Sequence, residues 1–179
     1  MDRRQCIPAG SAASVLGVAA GCASKGGGSG AGGNVVVVGC GYGGATAAKY
    51  IRMWSEGRVN VTLVEPNDSF ISCPISNLVI GGSKQMADIT TPYDNLARRH
   101  GVKIIKDRAV SIDAGKRTVT LAGGTVLPYD RLVLSPGIEF MWDALPGLKK
   151  PGAQDKVLHS WKAGPQTVAL RRQLEAMPD

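Results

Sequence analysis

The chain has 179 residues, of which 44% are hydrophobic, 5% aromatic and 20% charged, and its formal net charge is +7. This composition excludes a disordered acidic chain and is compatible with one packed domain of about 150 residues. Its four cysteines form no C-x-x-C pair and its histidines number two, so we expect no disulfide scaffold, no zinc finger and no multi-histidine metal site. The basic residues form no patch interleaved with aromatic residues, and nucleic-acid binding is therefore not expected.

Residues 1–33 are typical of an export signal followed by a flexible Gly/Ser-rich tether, which we place at residues 24–33. Arg3 and Arg4 precede a mildly apolar stretch that is too short and too interrupted to span a membrane. This layout resembles a twin-arginine signal and predicts a periplasmic protein. The segment Ala20-Gly21-Cys22 also resembles a lipoprotein cleavage site, which would place a lipid anchor on Cys22. A disordered cytoplasmic N-terminus is the alternative interpretation.

A glycine-rich turn joins a predicted strand to a predicted helix. Val35–Val38 is an apolar, β-branched run of the kind found in parallel strands that are buried on both faces. A G-x-G-x-x-G motif follows at Gly39, Gly41 and Gly44, and residues 45–51 continue as an Ala-rich helix. The first glycine permits a tight turn, the second lets the backbone approach a diphosphate, and the third lets the helix pack closely on the strand. The diphosphate would lie on the free N–H groups of the helix N-terminus.

A second predicted strand, Val59–Val64, leads directly into Glu65. This acid follows Gly44 by 21 residues, where a dinucleotide-binding domain places the carboxylate that accepts hydrogen bonds from a ribose diol. A carboxylate at this position also repels a 2′-phosphate and disfavours an NADP-type ligand. The alternative is a Gly-rich turn with an unrelated surface glutamate. The combination of strand, glycines, helix, second strand and acid favours a Rossmann-like α/β domain.

The segment after Glu65 departs from a simple alternation of strands and helices. Residues 66–82 are predicted to be rich in loops. In flavoproteins this part of the chain runs along the isoalloxazine ring. Thr91 and Pro92 predict the N-cap and first residue of a short helix, and Gly101 predicts its end.

The remaining predicted elements form a meander, a final strand and a helix. A strand is expected over residues 102–105. Three short alternating segments then predict a β-meander, at residues 109–113, 117–121 and 125–127. Arg131–Leu134 is an apolar strand closed by a Ser-Pro-Gly turn, and residues 166–177 have helical spacing.

In this order of elements the chain resembles the two-dinucleotide-binding-domain flavoproteins, and among them the family of flavocytochrome c sulfide dehydrogenase flavoprotein subunits. The resemblance covers residues 34–179, and the loop around Cys73 is its most specific part. The stretches that carry it are VVVVGCGYGGATAAKYI (35–51), VTLVEPN (61–67), CPISNLVIGG (73–82), YDRLVLSPGIE (129–139) and WKAGPQTVALRRQLEAM (161–177).

The resemblance implies a periplasmic enzyme that oxidises sulfide through FAD and passes electrons to a separate c-type cytochrome subunit. It implies that Cys73 binds the FAD covalently through a thioether, and that Glu65 faces the adenosine ribose. The other FAD-contacting residues that it implies are the three motif glycines (Gly39, Gly41, Gly44), Ala109 and Val110 through their backbones, and the turn Ser135, Pro136 and Gly137.

The chain departs from the family pattern at three points. Cys40 occupies a variable motif position, where we expect a buried thiol, and Pro74 stands where the family often has an aromatic residue. No cysteine follows Cys73 in the sequence. We therefore assign no catalytic residue within the chain and expect the redox-active cysteine pair beyond Asp179.

The predicted organisation has three parts. They are the leader and tether (1–33), a Rossmann-like FAD- or NAD(P)-binding domain with a parallel sheet and a β-meander insertion (34–150), and the start of a second nucleotide-binding-like domain (151–179). The fold is thus expected to be incomplete at the C-terminus.

Two alternatives to a sulfide dehydrogenase remain open at this point. A related flavoprotein that passes electrons to quinone, or takes them from NAD(P)H, would hold its flavin noncovalently. A truncated, non-catalytic nucleotide-binding remnant would show no flavin absorbance when expressed alone.

Overall fold

The computed structural model describes residues 32–178, and the secondary structure alternates between strands and helices. In chain order the elements are β1 (Gly32–Val38), α1 (Tyr42–Trp54), β2 (Val59–Val64), β3 (Ser69–Ile71), α2 (Asn77–Ile80), β4 (Thr90–Pro92), α3 (Asp94–His100), β5 (Lys103–Ile105), β6 (Ala109–Asp113), β7 (Thr118–Leu121), β8 (Val126–Pro128), β9 (Arg131–Leu134), α4 (Ala153–Lys156) and α5 (Pro165–Glu175). Single turns of 3-10 helix lie at Met86–Ile89, Trp142–Ala144 and Pro146–Lys149.

The central sheet has the strand order β5-β2-β1-β9, and all of its neighbouring strands are parallel. Strands β6, β7 and β8 form a separate antiparallel meander between β5 and β9 in the chain. The prediction of a Rossmann-like α/β fold with a meander insertion is confirmed. Strand β1 pairs with β2 on one side and with β9 on the other, so the strand order changes direction there. In sheets of this kind ligands bind at the carboxyl ends of the strands, next to such a change.

The valines of β1 divide between two hydrophobic cores. Val35 and Val37 pack with Ala48 of α1 on one face of the sheet. Val36 points to the opposite face, where it packs with Val119 and Leu121 of the meander. Because successive side chains of a strand alternate in direction, a continuous run of valines suits a strand that is covered on both sides.

Helix α1 lies against the sheet through its smallest residues. Gly44 and Ala48 are the buried residues of this helix. A Cβ atom on Gly44 would lie only 1.9 Å from the carbonyl oxygen of Gly39 and 3.4 Å from Cγ1 of Val37. Glycine at position 44 therefore lets the first turn of α1 approach the end of β1 much more closely than any other residue would.

The structure corrects one prediction in the middle of the chain. Residues 66–82 are rich in loops, as predicted, and they also contain the short strand β3 and the short helix α2. Thr91 and Pro92 do not begin a helix, because they lie in β4, which pairs antiparallel with β3. A residue before proline favours extended backbone, and the tertiary pairing uses that preference for a strand. Helix α3 begins two residues later, at Asp94, and ends as predicted at Gly101, whose φ is +64°.

The N-terminal boundary also differs from the prediction. Strand β1 begins at Gly32, so the last two residues of the predicted tether belong to the sheet, where Gly32 pairs with Val59. The predicted export signal and Cys22 lie outside the described residues. Within residues 32–178 no helix is long and apolar enough to cross a lipid bilayer.

The C-terminal helix α5 packs against α2. Arg171 of α5 lies beside Gly82, at the end of the segment that follows α2, and its Nη2 atom would be 3.5 Å from a Cβ built there. Gly164 and Thr167 fix the start of α5, since the Gly164 N–H donates to Oγ1 of the buried Thr167 at 3.1 Å. The division of the chain at residue 150 stays a prediction.

Candidate functional site

A cavity of about 360 Å³ opens at the carboxyl ends of β1 and β2. Four of the residues predicted to contact a cofactor line it together, namely Gly39, Glu65, Ala109 and Pro136. They come from four separate parts of the chain, and the parallel sheet brings the ends of its strands to one edge. Asn67, Arg108, Glu139 and Lys162 also line the cavity.

The turn after β1 is closed against the turn after β9. Gly39 has a φ of +91°, a conformation that side chains other than glycine rarely adopt. A Cβ there would lie 2.0 Å from the carbonyl oxygen of Ser135 and 2.9 Å from Cα of Pro136. The Ser135 N–H in turn donates to the carbonyl oxygen of Val38 at 2.8 Å. Pro136 of the Ser-Pro-Gly turn lines the cavity, because glycine at position 39 lets this turn approach the end of β1.

The start of α1 leaves room for a ligand at its backbone. A Cβ built on Gly41, the N-cap residue, would meet no atom within 4 Å. The first N–H groups of a helix have no partner inside the helix, and the helix dipole gives this end a partial positive charge. Open space beside such N–H groups fits a diphosphate, and a side chain at position 41 would fill part of that space.

Glu65 is buried, with 7% of its surface exposed, and its carboxylate is held by three hydrogen bonds. Oε2 accepts from the Cys40 backbone N–H at 2.9 Å. Oε1 accepts from both the backbone N–H and the side-chain Nδ2 of Asn67, at 3.0 and 2.6 Å. The carboxylate is thus fixed in position at the edge of the cavity before any ligand arrives.

Cys40 is the buried thiol that the sequence predicts, and it is fully inaccessible. Burial, together with the nearby Glu65 carboxylate, raises the pKa of this thiol to about 12. Burial and the charges of Glu65 and Cys40 also raise the pKa of Tyr93 above its ordinary value. Both groups remain protonated at neutral pH, so neither provides a nucleophile or a base at this site.

Cys73 lies in the loop between β3 and α2, and it is not among the residues that line the cavity. Its thiol donates a hydrogen bond to the backbone carbonyl of Trp161 at 2.7 Å. Lys162, the next residue, does line the cavity. The chain around residue 161 therefore connects the Cys73 loop to the cavity wall.

The remaining predicted residues do not line this cavity. Gly44 lies under the turn, where it packs α1 against the sheet. Val110 is 58% exposed on the meander, and Gly137 has open space around it and a φ of +78°. Gly41 lines a second, larger cavity of about 450 Å³ between α1, α3 and the β3–β4 hairpin. We locate the functional site at the smaller cavity, because it joins the motif turn to Glu65.

Sequence reasoning missed five polar residues of the cavity wall, namely Asn67, Asp107, Arg108, Glu139 and Lys162. Asn67 follows Glu65 by two residues, a proximity that could have indicated its role. Glu139 and Lys162 form an ion pair with an Nζ–Oε2 distance of 2.6 Å. The hydrogen bond from Lys162 lowers the pKa of Glu139 below its ordinary value. These two residues are 23 positions apart, and no local pattern announces their contact.

Metal binding has no support among the described residues, where no group of three or more His, Cys, Asp and Glu side chains could hold an ion. The site instead offers backbone N–H groups, one buried carboxylate and two nearby cationic side chains, Arg108 and Lys162. This is the chemistry that a dinucleotide requires, with donors for phosphate and an acceptor for ribose.

Two proteins with similar sequences have names that refer to the oxidation of sulfide. The flavoprotein chain of sulfide dehydrogenase (flavocytochrome c) from Chlorobaculum thiosulfatiphilum is 56% identical over 45 residues, which are 25% of this chain and 92% of that sequence. The mitochondrial sulfide:quinone oxidoreductase of Dictyostelium discoideum is 28% identical over 116 residues, which are 65% of this chain and 25% of that protein. The chain thus spans about a quarter of the length of the second relative.

The fold is also found in solved structures. The sulfide:quinone oxidoreductase of Aquifex aeolicus superimposes with a TM-score of 0.64 at 26% sequence identity, over 79% of this chain and 31% of that one. The family model described as pyridine nucleotide-disulphide oxidoreductase matches residues 33–176, which include every described element from β1 to α5 apart from Gly32. On this evidence of sequence and fold, the chain belongs to the pyridine nucleotide-disulphide oxidoreductase family.

Proposed function

We propose that this chain is the FAD-binding portion of an enzyme that oxidises sulfide. The observation that carries the proposal is the cavity that joins the motif turn, the buried Glu65 and the Ser-Pro-Gly turn at one edge of a parallel sheet. The names of the relatives from C. thiosulfatiphilum and D. discoideum support sulfide as the substrate class. When bound, FAD accepts two electrons from its substrate and can release them one at a time.

The residues of this chain would hold the cofactor in three ways. The open backbone at Gly41 and the first N–H groups of α1 would bind the diphosphate. Glu65 would accept a hydrogen bond from the adenosine ribose, and the backbone of Ala109 would contact the adenine. The wall carries two cationic side chains, Arg108 and Lys162, but also the carboxylates of Glu65, Asp107 and Glu139. Phosphate binding would therefore depend on the helix N–H groups rather than on the charge of the wall.

We further propose that Cys73 binds the flavin covalently and that a c-type cytochrome accepts the electrons. The hydrogen bond between Cys73 and the Trp161 carbonyl supports this, because it holds the thiol next to a segment that reaches the cavity. The name of the C. thiosulfatiphilum relative includes flavocytochrome c, which supports a cytochrome acceptor. The twin-arginine-like leader agrees with export to the periplasm, and the redox-active cysteine pair would belong to the rest of the enzyme.

Quinone is the second candidate for the electron acceptor. Both the D. discoideum relative and the A. aeolicus structure are named sulfide:quinone oxidoreductases. Such an enzyme would share the nucleotide site described above and differ in what receives the electrons.

The decisive experiment follows the flavin in the full-length protein. After acid precipitation, flavin fluorescence should remain with the polypeptide of the wild type and of Cys40→Ala, which removes the other described thiol. It should appear in the supernatant of Cys73→Ala. Flavin that is extracted from all three proteins would exclude the thioether and leave the FAD site intact. A full-length protein without any flavin would favour the non-catalytic nucleotide-binding alternative.

The acceptor is tested on the same preparation. Sulfide-dependent reduction of cytochrome c, followed by its absorbance, should exceed reduction of a water-soluble quinone. The reverse preference would identify a sulfide:quinone oxidoreductase. Reduction by NADH in the absence of sulfide would instead favour the NAD(P)H-dependent alternative.

A further inference from the structure

The second cavity, of about 450 Å³, lies between α1, α3 and the β3–β4 hairpin. It reaches the start of α1 at Gly41, but no side chain with a role in the proposed nucleotide site lines it. Its size falls within the range of about 300–1,000 Å³ over which proteins bind small molecules. The cavity is therefore large enough for a ligand of its own.

The walls of this cavity are mainly apolar. Cys40 and Ile89 line it and are buried, with 0% and 2% of their surfaces exposed. Phe70 and Tyr42 also line it, and their rings pack edge to face with their centroids 4.8 Å apart. Walls of this kind favour an apolar ligand, and an aromatic ligand would add further contacts between rings.

Tyr93 places a hydroxyl group without a partner in this apolar wall. The residue lines the cavity and has only 9% of its surface exposed. Its hydroxyl group makes no hydrogen bond to any residue that the structure describes, whereas the hydroxyl groups of Tyr42 and Ser72 bond to each other at 2.5 Å. A hydroxyl group that is removed from water without a new partner costs free energy. Burial, followed by the charges of Glu65 and Cys40, raises the pKa of Tyr93, so this group is a hydrogen-bond donor at neutral pH.

The formal charges of the cavity wall balance. Lys49 and Asp88 line the cavity and have opposite signs. The Nζ atom of Lys49 lies 5.3 Å from the centre of the Tyr50 ring, and Oδ2 of Asp88 accepts the backbone N–H of Gln85 at 2.8 Å. His100 also lines the cavity and is half-buried. Because the two charges cancel and each has a partner of its own, the wall favours an uncharged ligand over an ion.

We propose that this cavity binds an uncharged aromatic molecule that carries a carbonyl group, and that the Tyr93 hydroxyl group donates a hydrogen bond to the carbonyl oxygen. The apolar walls would hold the aromatic rings, and the hydrogen bond would fix their orientation. Binding here does not depend on the proposed function, because neither flavin nor sulfide takes part in it.

The test compares two ligands of nearly the same shape on the full-length, flavin-loaded protein. The ketone 2-acetylnaphthalene has the carbonyl group, and the hydrocarbon 2-isopropenylnaphthalene has a CH₂ group in place of the oxygen. Dissociation constants are measured by NMR titration. Tyr93→Phe should weaken binding of the ketone about 5- to 10-fold, as expected for the loss of one hydrogen bond, and should leave binding of the hydrocarbon unchanged.

Two further variants locate the ligand. Tyr129→Phe is the matched control, since Tyr129 packs against the core on the other face of the sheet, and it should leave both dissociation constants unchanged. Thr46 is exposed and lines the cavity from α1. Thr46→Trp should fill part of the cavity and weaken both ligands at least tenfold, in a protein whose circular dichroism spectrum shows the native fold.

Four results would overturn the proposal. Equal weakening of both ligands by Tyr93→Phe would show that the hydroxyl group does not contact the carbonyl oxygen. Unchanged binding to Thr46→Trp would place the ligands elsewhere on the protein. Binding only to Cys73→Ser from which the flavin has been removed would show that the cavity belongs to the flavin site. Absence of binding in every form would show that the cavity is not a ligand site.

Discussion

Glycine is needed at positions 44 and 41 for different reasons, and the substitutions Gly44→Ala and Gly41→Ala distinguish these reasons. A Cβ on Gly44 would lie 1.9 Å from the Gly39 carbonyl oxygen, whereas real Cβ atoms essentially never approach another atom within 3.0 Å. The obstacle is backbone at the end of a central strand, which cannot rotate away as a side chain can. Gly41 is the opposite case, since its Cβ would meet nothing within 4 Å.

The expected magnitudes follow from these distances. Overpacking costs about 1–3 kcal/mol of folding free energy, and a backbone clash of this depth belongs at or beyond the upper end. Alanine regains about 1 kcal/mol over glycine in helix propensity, so the net destabilisation of Gly44→Ala is about 2 kcal/mol. For a domain of this size that corresponds to a fall of about 4–8 °C in Tm. Gly41→Ala should change stability by less than about 0.5 kcal/mol.

The assay combines unfolding with nucleotide binding. Thermal melts of flavin-free, full-length Cys73→Ser are recorded with and without each glycine substitution, and ADP affinity is measured on the folded proteins. Gly44→Ala should lower the Tm, while Gly41→Ala should keep the Tm and weaken ADP, because its methyl group occupies the space beside the diphosphate. An unchanged Tm for Gly44→Ala, or full ADP affinity for Gly41→Ala, would refute this reasoning.

Two further predictions concern titratable groups. Burial holds the pKa of Cys40 at about 12, so iodoacetamide at pH 8 should modify Cys73 but not Cys40 in the folded, flavin-free protein. The modified residues are identified in tryptic peptides by mass spectrometry. Rapid labelling of Cys40 would contradict its burial. Lys162 lowers the pKa of Glu139, so the stabilisation by their ion pair is present above the unfolded glutamate value of 4.5 and is lost as the pH falls through the lower, folded value. The difference in Tm between wild type and Lys162→Met should therefore be small, since both side chains are more than half exposed, yet larger at pH 7 than under strongly acidic conditions. A difference that grows on acidification would be inconsistent with this pair.

The first two strands and the first helix could be predicted because their signals are local. A run of valines is compatible with a strand buried on both faces, and the three glycines have spacing that suits one turn and one helix end. The predicted and observed bounds of these elements differ by no more than three residues. Gly101 likewise ends α3 as predicted, because the positive φ that it adopts is a property of glycine itself.

The segment between Glu65 and α3 was less predictable because its structure depends on pairing. Thr91 and Pro92 satisfy the local rules for a helix start, yet they form β4 opposite Phe70 of β3. A three-residue strand has no periodicity of its own to read, and its partner determines its conformation. The same limitation hid the four-residue helix α2, which packs against α5 far along the chain.

Residue type and spacing are enough to establish that the chain has a dinucleotide-type turn followed by an acid. The surroundings of that acid depend on the tertiary structure. The contacts of Glu65 with the Cys40 backbone, of Cys73 with Trp161, and of Glu139 with Lys162 join residues that are 25, 88 and 23 positions apart. Such contacts arise where parallel strands and their connecting loops meet at one edge of a sheet. Backbone pairing sets that geometry, and no local sequence pattern records it.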